Sequence, residues 1–184
     1  IQILAPKARV HILGARKASP ARLQSFGARA VVVAPLRDSI DRLPPARLRA
    51  ALDTLRSHRG PLLAIGGGHL LLALAHGGAL RPTTTPPPSD SRVTVRGVAE
   101  APLFRGLPTP FEAISWHREE VGTLPDGFAV LAEREGGGVL AMRHAERPIY
   151  GVQFVPEDPR GAKLPARAVL QNFLVEARVI RKPR

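Results

Sequence analysis

The stretch that decides the fold is Leu62-Leu63-Ala64-Ile65-Gly66-Gly67-Gly68-His69-Leu70-Leu71-Leu72-Ala73-Leu74-Ala75-His76-Gly77-Gly78. It contains an apolar run of strand length, three glycines and a helix-length apolar segment closed by two more glycines. The pattern predicts a strand, a tight turn and a buried helix. Such a turn exposes one side chain beside the N–H groups of the next helix, so α/β enzymes often place a nucleophile there. Here that position holds Gly66.

Strand and helix patterns alternate before this stretch. Residues 9–13 and 29–35 have the composition of short strands, and the valine run of the second is typical of a parallel strand covered on both faces. Ser19-Pro20 and Pro44-Pro45 begin two predicted helices. The order strand, helix, strand, helix, strand predicts a parallel, doubly wound sheet.

The sequence changes in character after Gly78. Residues 81–91 are rich in Pro, Thr and Ser and predict an irregular, exposed connection. Period-two patterns then predict the strands of a mixed or antiparallel extension, at 92–96, 111–115, 128–132, 139–142 and 149–154. Residues 165–177 predict a closing helix that buries Val169, Leu170, Phe173 and Leu174.

Length and composition predict a single domain over residues 1–184. Its last seven residues, 178–184, form a basic C-terminal tail. The chain has 184 residues, of which 44% are hydrophobic, and no apolar run reaches the roughly 18–20 residues of a membrane span. It has no cysteine, which excludes disulfides, thiolate metal ligands and thiol nucleophiles.

The formal charge of +12 is concentrated at the two ends of the chain. Residues 1–60 carry twelve Lys and Arg against three acids, whereas residues 61–177 carry eleven against twelve. Two interpretations stay open: a solvated surface, or a contact with RNA or an acidic protein partner, although no aromatic-interleaved RNA motif accompanies the charge. The candidate contacts are Arg47, Arg49, Arg56, Arg59, Arg178, Arg181, Lys182 and Arg184.

Two motifs resemble those of the class I glutamine amidotransferases. Residues 151–157, Gly-Val-Gln-Phe-Val-Pro-Glu, resemble that family's Gly-Val-Gln-Phe-His-Pro-Glu signature, and residues 64–70 resemble its nucleophile turn, Gly-Ile-Cys-x-Gly-His-Gln. Shorter matches, such as Ser115-Trp116-His117, follow in the family's order, and the resemblance covers roughly residues 9–177. It implies a flavodoxin-like α/β fold with a central, mostly parallel sheet and an antiparallel strand extension.

The resemblance implies a Cys–His–Glu triad in which the cysteine attacks the side-chain amide of glutamine and the histidine transfers the proton. Matched position by position, these three residues fall on Gly66, Val155 and Glu157. Glycine offers no nucleophile and valine no base, so no catalytic residue is expected and the three positions are vestigial. Residues 34–37 also replace the family's Gly-Gly-Pro oxyanion loop, and Leu70 replaces a glutamine.

The rest of the expected cleft consists of Gly67, Gly68, His69 and His117. The glycines fit a tight structural turn or a phosphate site at a helix N-terminus, but the Lys and Ser/Thr of a nucleotide-binding loop do not follow. The two histidines fit ordinary family positions, with His69 half buried and hydrogen-bonded, or a substitute metal site with Glu157 or Glu119. We predict no metal and no cofactor.

The remaining histidines, His11, His58, His76 and His144, are interpreted as strand, helix-end or surface residues without a partner.

The sequence therefore predicts a catalytically inactive amidotransferase-like pseudoenzyme that acts as a structural or regulatory subunit of a larger assembly. One version of this hypothesis places it in a ribonucleoprotein such as an organellar ribosome, because of the basic ends and a start at Ile1 that suggests processing. The alternative is an amidotransferase-related subunit of a biosynthetic synthase, of the anthranilate synthase or GMP synthetase type, that uses free ammonia or altered chemistry. The predicted location is the cytoplasm, with the mitochondrial matrix as the alternative, and no membrane is involved.

Overall fold

The computed structural model describes residues 1–14, 17–36, 39–83, 91–97, 100–135, 137–159 and 165–181. Its strands are β1 (Val31–Val33), β2 (Leu62–Ile65), β3 (Ala79–Pro82), β4 (Arg92–Gly97), β5 (Phe111–Ile114), β6 (Glu119–Thr123), β7 (Phe128–Arg134), β8 (Val139–His144) and β9 (Ile149–Val152). Its α-helices are α1 (Pro20–Ser25), α2 (Pro45–Ser57), α3 (Gly67–Ala75) and α4 (Ala168–Glu176). Short 3-10 turns lie at Ile40–Arg42, Pro102–Phe104 and Pro165–Arg167.

The strands form one mixed sheet in the order β1-β2-β9-β8-β7-β4-β5. β1, β2 and β9 are parallel, and the pairings from β9 onward are antiparallel. β3 pairs antiparallel with β6, which joins the sheet beside β8. The predicted α/β class with an antiparallel extension is confirmed, and the described sheet is mixed rather than mostly parallel, since only β1, β2 and β9 pair in parallel.

The sequence signals at the helix starts act as predicted. Ser19 caps α1 by accepting a hydrogen bond from the N–H of Arg22 (3.2 Å), and Pro20 occupies the first helical turn. Pro45 likewise begins α2. Within the predicted final helix, residues 165–167 form a 3-10 turn and α4 follows.

The strand predicted at residues 9–13 is wrong. No described strand pairs with this segment, and Ile12 is 93% exposed. An extended segment gains stability only when a neighbouring strand takes up its backbone hydrogen bonds, and this segment has none. The ring of His11 stacks instead on Phe26, with 4.2 Å between the ring centroids.

Two strands lie where the sequence predicted none. β3 includes Arg81 and Pro82 from the segment predicted to be irregular, and residues 84–90 of that segment lie outside the described residues. β6 carries two glutamates and a glycine, so its sequence lacks the alternation of apolar and polar residues that would predict a strand. The valines of β1 are only half buried, because β1 is at the end of the sheet order.

The sheet has a hydrophobic core on each face. Successive side chains of a strand point to opposite faces, so Leu63 and Ile65 of β2 join Phe173 of α4 on one side. Leu62 and Ala64 pack on the other side with residues of α2 and α3. Among the described helices, none is long and apolar enough to cross a membrane.

Candidate functional site at the Gly66 turn

Gly66 forms the sharp turn between β2 and α3. Its backbone angles, φ +57° and ψ −121°, lie in a region that favours glycine. Its N–H donates to the carbonyl of Val152 in β9 (2.8 Å), and its own carbonyl accepts from the N–H of His69 (3.0 Å). The predicted strand, tight turn and helix are therefore present, and the turn is tied to the strand that carries the second motif.

Neighbouring side chains fill the space that a residue larger than glycine would need. A Cβ atom added at Gly66 would lie 2.8 Å from Nε2 of His117 and 2.9 Å from Cβ of Pro35. At Gly67 an added Cβ would lie 2.7 Å from Cβ of Leu36. The segment that replaces the expected oxyanion loop thus packs directly against the turn, together with His117.

Val155 and Glu157 follow β9 and do not form a base and its orienting partner. Val155 is buried in the same core cluster as Ile65, and its N–H donates to the carbonyl of Ile114 (2.8 Å). Glu157 is exposed as a residue, although partial burial of its carboxyl raises its pKa. A valine core contact stands where the triad would need an imidazole.

His69 and His117 are both neutral imidazoles beside the turn. His69 is fully buried, so the prediction that it is half buried is wrong. Burial, with a smaller effect from the nearby His117, lowers the pKa of His69 to about 3. Burial also lowers the pKa of His117. Neither ring carries a charge near neutral pH.

The described residues contain no group of three or more His, Asp or Glu that could hold a metal ion. Glu119, considered as a partner for the two histidines, accepts a hydrogen bond from Ser39 (3.0 Å). Its carbonyl accepts from the buried side-chain amide of Gln153 (2.6 Å), which ties the 151–157 motif to β6. Gln153 thus has a structural role that the motif match alone did not indicate.

The candidate partner contacts separate into different environments. Arg47 and Arg49 are exposed on α2, whereas Nε of Arg56 donates to the carbonyl of Ala75 at the end of α3 (2.8 Å). Arg59 donates to the carbonyl of Arg56 (3.3 Å). The exposed residues Arg178 and Arg181 follow α4, and Lys182 and Arg184 lie outside the described residues.

His76 and His144 were interpreted as partnerless, and the structure corrects this. Their rings contact Phe128, with centroid distances of 5.1 and 5.2 Å. Arg147, which the sequence did not single out, donates from Nε to Nε2 of His144 (3.0 Å). His144 and Arg147 are close in sequence, but the fold alone brings His76 and Phe128 to them, so sequence spacing could not indicate the whole group.

Two features together define a class of protein: the sharp turn between β2 and α3, and the 151–157 motif, which begins at the end of β9. The family model of the class-I glutamine amidotransferases matches residues 44–177. The chain belongs to this family.

Several of its relatives are subunits of one kind of enzyme, the glutamine-hydrolyzing GMP synthase. The chain is 37% identical over 111 residues to such a subunit from Methanocaldococcus jannaschii, a match that covers 60% of this chain and 58% of the relative. It is 40% identical over 123 residues to the same subunit of Ignicoccus hospitalis, covering 67% and 63%. The matched region thus spans about three fifths of these curated relatives.

Solved structures agree with the assignment of this chain to the amidotransferase family. A structure from Thermoplasma acidophilum described as a GMP synthase subunit has a TM-score of 0.76 at 25% identity and covers 87% of this chain and 77% of its own. A glutamine amidotransferase from Thermotoga maritima, at 14% identity, has a TM-score of 0.68 over 94% and 83% and supports the fold alone.

The comparisons favour the alternative of a synthase subunit over the ribonucleoprotein hypothesis. The relatives are named as subunits of a biosynthetic enzyme, and none of these names supports a ribosomal role, RNA contact or a mitochondrial location.

Proposed function

We propose that this chain is the amidotransferase-type subunit of a GMP synthase-like assembly and that it does not hydrolyse glutamine itself. The kinship with GMP synthase subunits supports the first part. The crowded turn at Gly66 supports the second part, that the chain does not hydrolyse glutamine. Neighbouring side chains fill the place of a nucleophile there, since an added Cβ would lie only 2.8 Å from His117 Nε2 and 2.9 Å from Pro35 Cβ.

The chemistry of glutamine hydrolysis supports the same conclusion. A thiolate must attack the amide carbon, a base must move the proton, and backbone N–H groups must hold the oxyanion. With glycine at position 66 and valine at position 155, the nucleophile and the base are both missing. The chain has no cysteine elsewhere that could serve as the nucleophile. Loss of nucleophile and base removes most of the rate acceleration that such a triad supplies.

The assembly would then use free ammonia, and this chain would act as a scaffold or regulator of the synthase subunit. Two hydrogen bonds support a scaffold role, since they join the Gly66 turn to Val152 and Gln153 to β6. A protein partner rather than a small ligand is the expected binding target. The predicted cytoplasmic location accompanies this proposal.

A glutaminase assay tests the absence of hydrolysis. The purified chain, alone and together with the synthase subunit from the same source, is incubated with glutamine and the glutamate released is measured. We expect no release above a blank without protein. Clear turnover that Glu157→Ala abolishes would overturn the proposal, because it would show that the old site still works.

Purification from the native source tests the partner. We expect a synthase subunit to co-purify, and we expect the complex to make its product from ammonium ions but not from glutamine. Product formation from glutamine would contradict the ammonia dependence. Co-purification of ribosomal RNA and ribosomal proteins without a synthase subunit would contradict the proposed assembly.

A further inference from the structure

A cationic cluster lies at the opposite end of β2 from the Gly66 turn. His58 and Arg59 precede the amino end of β2, His76 ends α3, and His144 and Arg147 flank the turn before β9. Because β2 and β9 are parallel, both begin at this edge of the sheet. The cluster is therefore separate from the family's glutaminase site.

Direct contacts hold the cluster together. Besides its contact with Nε2 of His144 (3.0 Å), Arg147 donates from a terminal guanidinium nitrogen to the carbonyl of His58 (3.3 Å). The ring of Phe128 lies against both His76 and His144, whose own centroids are 6.3 Å apart. The two imidazole rings thus pack on the same aromatic ring, and Arg147 is hydrogen-bonded to one of them.

The positive charge of the cluster is not neutralised by acidic partners. Arg56 and Arg59 donate to carbonyls at the ends of α3 and α2, where the helix dipole favours cations. Within the described residues, neither these two nor Arg147 forms an ion pair with a carboxylate. Glu146 is the acid whose charge acts on His144 and Arg147. The cluster carries a clear excess of positive charge.

Hydrogen-bond donors also outnumber acceptors at His144. The N–H of Glu146 points at its Nδ1 (3.1 Å), and Nε of Arg147 points at its Nε2 (3.0 Å). A neutral imidazole accepts at only one ring nitrogen, and an imidazolium at neither. One donor therefore faces a ring N–H in either tautomer. Nε2 of His76 is buried and has no hydrogen-bond partner among the described residues.

We infer that this cluster binds a phosphate-class oxyanion through the guanidinium groups of Arg59 and Arg147, beside the rings of His76 and His144. A tetrahedral oxyanion supplies several strong acceptors and negative charge to a site with excess donors and excess positive charge, and guanidinium groups match its geometry. Burial, and then the charge of Arg147, lowers the pKa of His76 to about 4, and the negative charge of a bound anion would act against this lowering. This site does not depend on whether the Gly66 turn is active.

Titration of the full chain with inorganic phosphate at constant ionic strength, balanced with sodium chloride, tests the site. We expect a saturable rise in Tm, and saturable shifts of the His76 and His144 ring signals in NMR spectra, with no shift at His11. Arg59→Gln and Arg147→Gln should each weaken phosphate affinity by about tenfold, since each removes a charge-assisted hydrogen bond. Arg49→Gln, an exposed position on α2, is the matched control and should bind like the wild type.

Three results would overturn the inference: an equal Tm rise with sodium chloride alone, unchanged affinity in both cluster variants, or equal binding of acetate. Arg147→Gln also loses the contact with the carbonyl of His58, so circular dichroism checks its fold. Arg59 is exposed, so Arg59→Gln keeps the test valid if Arg147→Gln does not fold.

Discussion

Gly66 is subject to two separate constraints, one from its backbone and one from its neighbours. Its φ of +57° disfavours any other residue, and His117 and Pro35 crowd the position of a Cβ. Gly77 at the end of α3 has a positive φ of +90° but no atom within 4 Å of an added Cβ. A comparison of substitutions at Gly66 and Gly77 therefore distinguishes the cost of backbone strain from the cost of crowding.

We predict that Gly66→Ala lowers the free energy of unfolding by about 2–4 kcal/mol, because strain and overpacking add. Gly77→Ala should cost about 1–2 kcal/mol, from backbone strain alone. Urea denaturation of both variants measures the difference. Equal losses would show that the space beside Gly66 relaxes freely.

His69 makes the stability depend on pH. Its pKa in the folded chain is about 3, against 6.5 for an unperturbed imidazole. Between about pH 6.5 and pH 3 the imidazole is protonated in the unfolded state but not in the folded state. The contribution of His69 to the free energy of unfolding is therefore fully present above about pH 6.5 and decreases towards pH 3.

We expect His69→Gln to flatten this dependence by up to about 1.4 kcal/mol per pH unit, the value for one proton. Denaturation between pH 4 and 7 measures the slope. His11→Gln, at an exposed position where the ring stacks on Phe26, is the matched substitution for comparison. An unchanged or steeper slope in His69→Gln would contradict the assignment.

The sequence allows the predicted vestigial triad positions to be named, because the motifs that carry them are short and contiguous. It could not show that the space at Gly66 is filled, since Pro35 and His117 come from distant parts of the chain. The full burial of His69 was hidden for a similar reason. The backbone of Gly151, far away in sequence, packs against its ring.

At the level of elements, the β3–β6 pair depends on a buried carboxylate. Glu120 is 1% exposed and pairs with Arg81, both N···O distances being 3.0 Å, while Arg81 is half exposed. A second pair of the same types, Arg96 with Glu135, is exposed on both sides (2.6 Å). The two pairs differ mainly in the burial of the acid.

We predict that Arg81→Ala lowers the free energy of unfolding by about 2–3 kcal/mol, because it leaves a buried charge without its partner. Arg96→Ala, the matched control, should cost less than about 1 kcal/mol. Thermal denaturation of both variants compares them. A smaller loss for Arg81→Ala than for Arg96→Ala would refute the expectation.

The accuracy of the strand predictions followed the burial of each segment. β2 is buried along its whole length, and its unbroken apolar run was sufficient to place it. Residues 9–13 also contain apolar residues typical of strands, but no described strand pairs with them, a fact that depends on the rest of the fold. β6 was missed because Glu120 is buried by its ion pair rather than by an apolar side chain.

At the scale of the whole molecule, we predict a single domain that unfolds in one cooperative step. The nine strands of the described residues belong to one sheet, so the two halves of the sequence share its core. Far-UV circular dichroism and the fluorescence of Trp116, the only tryptophan, should give the same midpoint in urea. Two separated transitions would show two independent units.

The position of β9 has a consequence for the order of folding. Leu62 of β2 pairs with Ile149 of β9, so the parallel part of the sheet is complete only after most of the chain has been synthesised. Until then, β2 and the buried face of α3 lack their neighbour, and contacts so distant in sequence form slowly. A nascent chain that stops before Ile149 would expose this apolar surface, so newly made protein would depend on chaperones until its last strand emerges.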